Sequence, residues 1–283
     1  MFDMARRCGV SVSDVEAEMM RLVSFSPSRV TEAARYHLAG GGSRVRAQMG
    51  IEAAAALRLS PEASIACAAA SELLHNASLV HDDLQDGDEI RRGAAAVWSC
   101  DGSDVAVSTG DLLISAAYMA LAHHPRPVRA LHLMHQAIAV TIAGQTKDCS
   151  ADIPTPKDWV TIAEAKSGPL LAMPIQLALI AAGASGQTAA ACAGRALAVA
   201  YQTVDDIADR TADLANRATN ICLSLEKTGL SSVDAVTRAR ELANRSLHAV
   251  RQDACRLPDN AGASFLRLAD KLEGQLKDIA NAT

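Results

Sequence analysis

Two stretches of this chain carry the same pattern of acids: Asp82-Asp83-Leu84-Gln85-Asp86 and, 123 residues on, Asp205-Asp206-Ile207-Ala208-Asp209. With 21 aspartates among 283 residues, random placement yields only about 0.1 Asp-Asp-x-x-Asp motif. On a helix the first and fifth residues of such a motif share one face, a turn apart, so each motif aims two carboxylates in one direction. Both follow apolar turns (Leu79-Val80; Val199 and Val204), which points the acids into the top of a cavity rather than outward. Two such faces opposed would repel strongly unless cations stood between them. Hard oxygen donors in this number suit Mg2+, which keeps waters or phosphate oxygens as its other ligands. The candidate metal set is therefore Asp82, Asp83, Asp86, Asp205, Asp206 and Asp209.

A diphosphate fits this chemistry, being an anion that binds Mg2+ and also attracts arginine. Arg91-Arg92-Gly93 follows the first motif, and Gly42-Ser43-Arg44-Val45-Arg46 follows a glycine run at an expected helix start. Guanidinium forks and helix N-termini both favour phosphate oxygens.

The elements that must position these groups are helices. The chain has 57 alanines against 8 aromatic residues, which favours helix over strand. Apolar periodicity is helical nearly throughout and no period-two alternation stands out. Helices are expected over 13–23, 28–39, 44–58, 61–86, 104–122, 127–147, 158–182, 187–213, 232–254 and 261–280. The last of these reads as a solvated outer helix, because its charges are mixed. Breaks between helices are short and no disordered linker divides the chain, so residues 1–283 are expected to form one all-α domain.

Charge and cysteines narrow the class further. Lysine and arginine number 27 against 32 acids, a net of −5, which argues against a nucleic-acid binder and against a polybasic membrane attachment. Arg6 and Arg7 are followed by no apolar run, so no signal peptide is expected. The longest apolar stretch, 169–183, is interrupted by Pro174 and Gln176 and reads as a buried core helix rather than a membrane span. Seven scattered cysteines (8, 67, 100, 149, 192, 222, 255) form no Cys-x-x-Cys pair. They read as small buried residues in a reducing cytoplasm. His123, His124, His132 and His135 read as helix-end and surface residues, and Trp98 and Trp159 as core or interface anchors.

The run from His75 to Gly93, which contains the first motif, strongly resembles the first aspartate-rich region of the trans-isoprenyl diphosphate synthases, or polyprenyl synthetases. Gly110-Asp111-Leu112-Leu113, Lys166-Ser167-Gly168 and the run Tyr201–Asp209 resemble three further blocks of that family, in order. The resemblance covers roughly residues 35 to 215. It implies an antiparallel helical bundle around a deep central cavity, usually a homodimer. It implies that Asp82, Asp86 and Asp205 hold Mg2+, three ions per active site, on an allylic diphosphate (dimethylallyl, geranyl or farnesyl). Asp83, Asp206 and Asp209 would give direct or water-mediated support, and Arg91, Lys166, Ser167 and Gln202 would face the same side. Arg46, His75 and Arg92 would bind isopentenyl diphosphate. Ala77 and Ser78, five and four residues before Asp82, would set product length; both are small, which implies about twenty carbons or more.

Two departures from that family bear on function. Ser43 stands where the family has a lysine, and the segment 216–220 lacks the lysines the family supplies after the second motif. The leading expectation is a two-substrate prenyltransferase. A class I terpene cyclase or atypical prenyltransferase using one allylic diphosphate is the alternative, and a non-catalytic subunit of a heteromeric synthase is a third.

Overall fold

The computed structural model describes residues 9–149, 154–216 and 218–282. Arg6, Arg7 and Cys8, and the Arg217 that follows the second motif, lie outside the described residues. The fold is all-α, as the alanine-rich composition predicts. Its helices are α1 (Val12–Val23), α2 (Arg29–Ala39), α3 (Val45–Ala56), α4 (Pro61–Asp86), α5 (Val97–Asp101), α6 (Ser103–Ala120), α7 (Pro127–Asp148), α8 (Pro156–Ala182), α9 (Gln187–Asn216), α10 (Ile221–Glu226), α11 (Ser232–Ala254) and α12 (Ala263–Ala282). The expected ends agree with these to within about three residues. Two helices were not anticipated, α5 and α10; one or two turns are too short to set up a periodic stripe. Nor was the hairpin of β1 (Ile90–Arg91) and β2 (Ala94–Ala95).

Helix α4 shows why the local sequence works. Ser60 accepts the Ala63 N–H on its hydroxyl and Pro61 opens the first turn, where a missing N–H costs nothing. The helix stops at Gly87, whose φ of +74° closes it in the left-handed region. Between those ends a run of small residues, Ala66 to Ser71, is buried.

Packing groups the chain into two compact units. The first comprises 1–134 and 173–185; in it α4 packs on α6 and α3, and α1 and α2 pack against α6. The second comprises 135–172 and 186–283. There α9 packs along α11, α12 covers both, and α10 lies against α9 and α11.

Several surface expectations change. α12 is amphipathic rather than merely solvated: Phe265, Ala269, Leu272 and Leu276 are buried, and its mixed charges occupy the other face. His124 is buried, not on the surface. Its Nε2 meets the Leu177 carbonyl at 3.1 Å and its Nδ1 accepts the Arg126 N–H, so both polar atoms are satisfied. Of the described cysteines only Cys67 and Cys222 are buried; Cys100, Cys149 and Cys255 are exposed, because they fall on solvent faces or at helix ends. Trp159 is a core residue, and half-buried Trp98 donates its Nε1–H to the Asp88 carbonyl. The apolar stretch 169–183 falls almost wholly within α8, the helix expected over 158–182. By length and composition α8 and the segment Ser103–His123 could each cross a bilayer, yet 72% of the apolar window of α8 is buried by protein.

Candidate active site

The first acidic motif occupies the last turn of α4. Asp82 is half-buried and Asp86 exposed, whereas Asp83 turns inward and is 1% exposed. Asp83 accepts from Arg91, through Nε at 2.6 Å and also through Nη2; Nη2 further reaches Asp88 at 3.2 Å. Burial pushes the Asp83 carboxyl up and the Arg91 guanidinium opposes that shift. The hairpin makes this pairing possible. Arg92 and Gly93 take φ of +54° and +79°, the backbone of a two-residue type I′ turn, which returns Arg91 towards α4. Next to Asp82, the ring of His81 lies against α6: a Cβ at Gly110 would stand 2.0 Å from His81 Nε2. Only glycine allows that approach.

Arg92 folds onto the loop that precedes α3. It donates to the Gly41 carbonyl, and a Cβ at Gly42 (φ +121°) would fall 2.6 Å from its Cζ. Ser43 is exposed. Arg44 is not available to replace the missing lysine. It is 6% exposed, bonded to Glu16 at 2.8 Å and to the Leu38 carbonyl, with Glu72 3.9 Å away. Arg46 and His75 are half-buried. Desolvation first, then the charges of Arg46 and Arg92, hold the His75 imidazole well below its ordinary range. His37 behaves likewise: desolvation, then Arg92, lowers it to about 4, and it touches Asn76 Oδ1 at 3.2 Å. Ala77 is enclosed, while Ser78 is half-buried and donates to the His75 carbonyl.

The second unit holds the other motif. Asp205 and Asp209 stand one turn apart on α9. Partial desolvation of Asp205, followed by the charge of Asp209, pushes the Asp205 carboxyl up to about 6. Asp206 is 2% exposed, and burial pushes it up to about 7 although Gln202 and the Ile221 N–H both donate to it. Asn220 bonds the Asp206 carbonyl and the Asp213 carboxylate. Asp206 and Asn220 thus pin the start of α10 to α9. Lys166 meets Asp148 at 2.6 Å, and Asp148 also accepts the Thr219 hydroxyl at 2.7 Å. Ser167, beside Lys166, is half-buried.

The structure therefore gathers Asp82, Asp83, Arg91, Arg92, Arg46 and His75 in one unit, and Lys166, Gln202, Asp205, Asp206 and Asp209 in the other. Reading the sequence missed Asp148, Glu72, Asn76 and His37. The one available signal was Glu72, a charged residue inside an otherwise apolar helical run.

The donor set suits Mg2+. Asp82 and Asp86 lie at a helix C-terminus, where the macrodipole already opposes negative charge, and the last turn of α4 has no basic residue. In the second pair, desolvation first and then Asp209 raise the Asp205 carboxyl, and a cation beside it would oppose both effects. Among the described residues no three His, Cys, Asp or Glu side chains come together as a metal-holding group.

Residues 27–254 match the model of the polyprenyl synthetase family, and the chain belongs to that family. It is 32% identical over 210 residues to the geranylgeranyl diphosphate synthase of Methanosarcina mazei; the match covers 71% of this chain but only 65% of that protein. Its fold is shared with a decaprenyl diphosphate synthase from Rhodobacter capsulatus (TM-score 0.84, 19% identity, 98% of each chain covered). It is shared too with a polyprenyl synthase from Caulobacter crescentus, solved with calcium and isoprenyl diphosphate (TM-score 0.82, 21% identity, 95% of this chain and 96% of that one).

The low value of His37 has a consequence for stability. Its folded-state value lies below the ordinary one, so the unfolded chain takes up the proton first as the pH falls. The stabilisation is complete above about pH 6.5 and is lost towards about pH 4. Relative to a His37→Gln variant, which cannot titrate, the wild type should lose on the order of 2–3 kcal/mol of unfolding free energy between about pH 7 and 4.5. Urea denaturation measures this, and a constant difference would refute the neutral buried imidazole.

Proposed function

We propose that the protein is a Mg2+-dependent trans-prenyltransferase that joins an allylic diphosphate head to tail with isopentenyl diphosphate, forming a prenyl diphosphate of about twenty carbons or longer. The observation that carries this reading is the pair of one-turn carboxylate sets, Asp82 with Asp86 and Asp205 with Asp209, in a chain of the polyprenyl synthetase family. The M. mazei relative carries a geranylgeranyl name and the R. capsulatus structure a decaprenyl one, so the length must come from residues of this chain.

In this reading Asp82, Asp86 and Asp205 hold Mg2+, with Asp209 alongside, while Asp83 and Asp206 stay inside and keep Arg91, Gln202 and the start of α10 in place. Bound Mg2+ would neutralise charge on the departing pyrophosphate. Arg91, Lys166 and Gln202 add donors on the allylic side, Lys166 being steered by Asp148. Ionisation leaves an allylic cation, which survives only where water is kept away. Arg46, His75 and Arg92 hold the diphosphate of isopentenyl diphosphate, whose double bond attacks the cation. The proton then lost passes to pyrophosphate, so no side-chain nucleophile is needed. A neutral His75 can donate to a phosphate oxygen without carrying a buried charge.

A homodimer in the cytoplasm completes the proposal. Exposed apolar side chains on α6 (Val107, Met119) and on α7 (Val128, Val140, Ile142) support association. One observation favours the second reading, a one-substrate class I cyclase: Ser43 is exposed and Arg44 is committed elsewhere, so the isopentenyl side lacks one cation of the family pattern. Intact carboxylates in both units argue against a non-catalytic subunit.

Three measurements test these assignments. Asp82→Ala or Asp205→Ala should abolish turnover with radiolabelled isopentenyl diphosphate while leaving cooperative melting intact, and EDTA should do the same to the wild type. Near-normal turnover in either variant would misplace the site. Ser78→Phe, about 6 Å along the helix from Asp82, should shift products to shorter chains; an unchanged distribution would take this face of α4 out of the product channel. Ser43→Lys should lower the KM for isopentenyl diphosphate by about tenfold, the difference between a charged and a neutral hydrogen bond, with the allylic KM unaltered. Release of a hydrocarbon or alcohol by the wild type from an allylic diphosphate alone would support the cyclase instead.

A further inference from the structure

Helix α3 begins without a cap of its own. Its N-cap residue is Arg44, in the left-handed region at φ +46°, and no side-chain capping bond forms there. The first N–H groups of a helix need acceptors, and a buried one left unpaired is strongly unfavourable. The acceptor comes from α4. Glu72, 1% exposed, takes the Ala47 N–H on Oε2 at 3.0 Å. Its Oε1 lies 3.3 Å from Asn76 Nδ2 and 3.9 Å from Arg44 Nη1. A carboxylate at this end of a helix also complements the macrodipole. Ala47 directly follows Arg46, so the bond to Glu72 fixes the turn on which Arg46 stands. Asn76 extends the same net to His37 on α2, and His75 precedes Asn76 in the chain.

We propose that Glu72 is a positioning residue for the isopentenyl diphosphate site: it ties the first turn of α3 to α4 and thereby holds Arg46 in register with His75. This rests on the assignment of Arg46 to that diphosphate under the proposed function. Glu72 itself is enclosed and acts through Arg46. A residue that merely supports the fold would, when changed, lower melting temperature and affect both substrates alike; an anchor for Arg46 separates them.

The experiment is steady-state kinetics with both substrates varied, alongside thermal melting, on Glu72→Gln, Glu72→Ala, Arg46→Ala and the double variant Glu72→Gln/Arg46→Ala. The amide of Glu72→Gln still reaches the Ala47 N–H but loses the charge. It should raise the KM for isopentenyl diphosphate by about three- to tenfold, with kcat and the allylic KM within about twofold. Glu72→Ala should raise it further; if that variant does not fold, Glu72→Gln decides alone. The double variant should bind no worse than Arg46→Ala, because the anchor then has nothing to hold. An unchanged KM in Glu72→Gln, a parallel rise in both KM values, or additive effects in the double variant would overturn the anchor while Arg46→Ala still raised the isopentenyl KM. If Arg46→Ala left that KM unchanged, the site assignment would fall and the anchor with it.

Discussion

The last turn of α4 places Asp82, Asp83 and Asp86 where the helix dipole is already negative and where no basic residue of the same turn offsets them. That arrangement is unfavourable in an isolated helix, so the neighbouring structure has to answer it. Part of the answer is Arg91, brought back onto Asp83 by the tight turn at Arg92-Gly93. The long apolar body of α4, buried against α3 and α6, supplies the stability that carries this acidic end.

The two motifs are alike in sequence and each divides its acids in the same way. In each, the middle aspartate is the buried one and is engaged by protein: Asp83 by Arg91, Asp206 by Gln202 and the Ile221 N–H. The first and fifth remain on the solvent side. The helix repeat explains this division, since the second residue of the motif lies about 100° around the axis from the first. A consecutive pair of aspartates therefore contributes one outward and one inward carboxylate. The inward one organises the neighbouring segment, which carries an arginine in the first motif and the start of α10 in the second.

Basic groups are managed by desolvation as much as by pairing. His37 and His75 lie among Arg44, Arg46, Arg91 and Arg92, and both imidazoles are held neutral at ordinary pH. Adding two more charges there would increase repulsion in a region already rich in guanidinium. Buried Glu72 is the counterweight, placed between Arg44 and the start of α3. The cluster stays positive on balance without becoming too repulsive to pack.

The sequence by itself determined the fold class, nearly all the long helices and the two carboxylate sets. Each is encoded locally: alanine content and 3.6-residue periodicity specify α4, α8 and α9, and the aspartate spacing is set within a single helical turn. The resemblance of residues 75–93 to one family pointed to the same chemistry. Tertiary structure decided what depends on distant partners. Glu72 reads as an anomaly in an apolar run until the Ala47 N–H is seen opposite it. Arg44 reads as a spare cation until Glu16 and the Leu38 carbonyl claim it. His124 reads as a helix-end residue until the Leu177 carbonyl buries it, and Asp148 has no role until Lys166 and Thr219 reach it. Periodicity tells which face of a helix is apolar, but the partner of a buried polar group is chosen by packing between segments far apart in the chain. No local pattern records that choice.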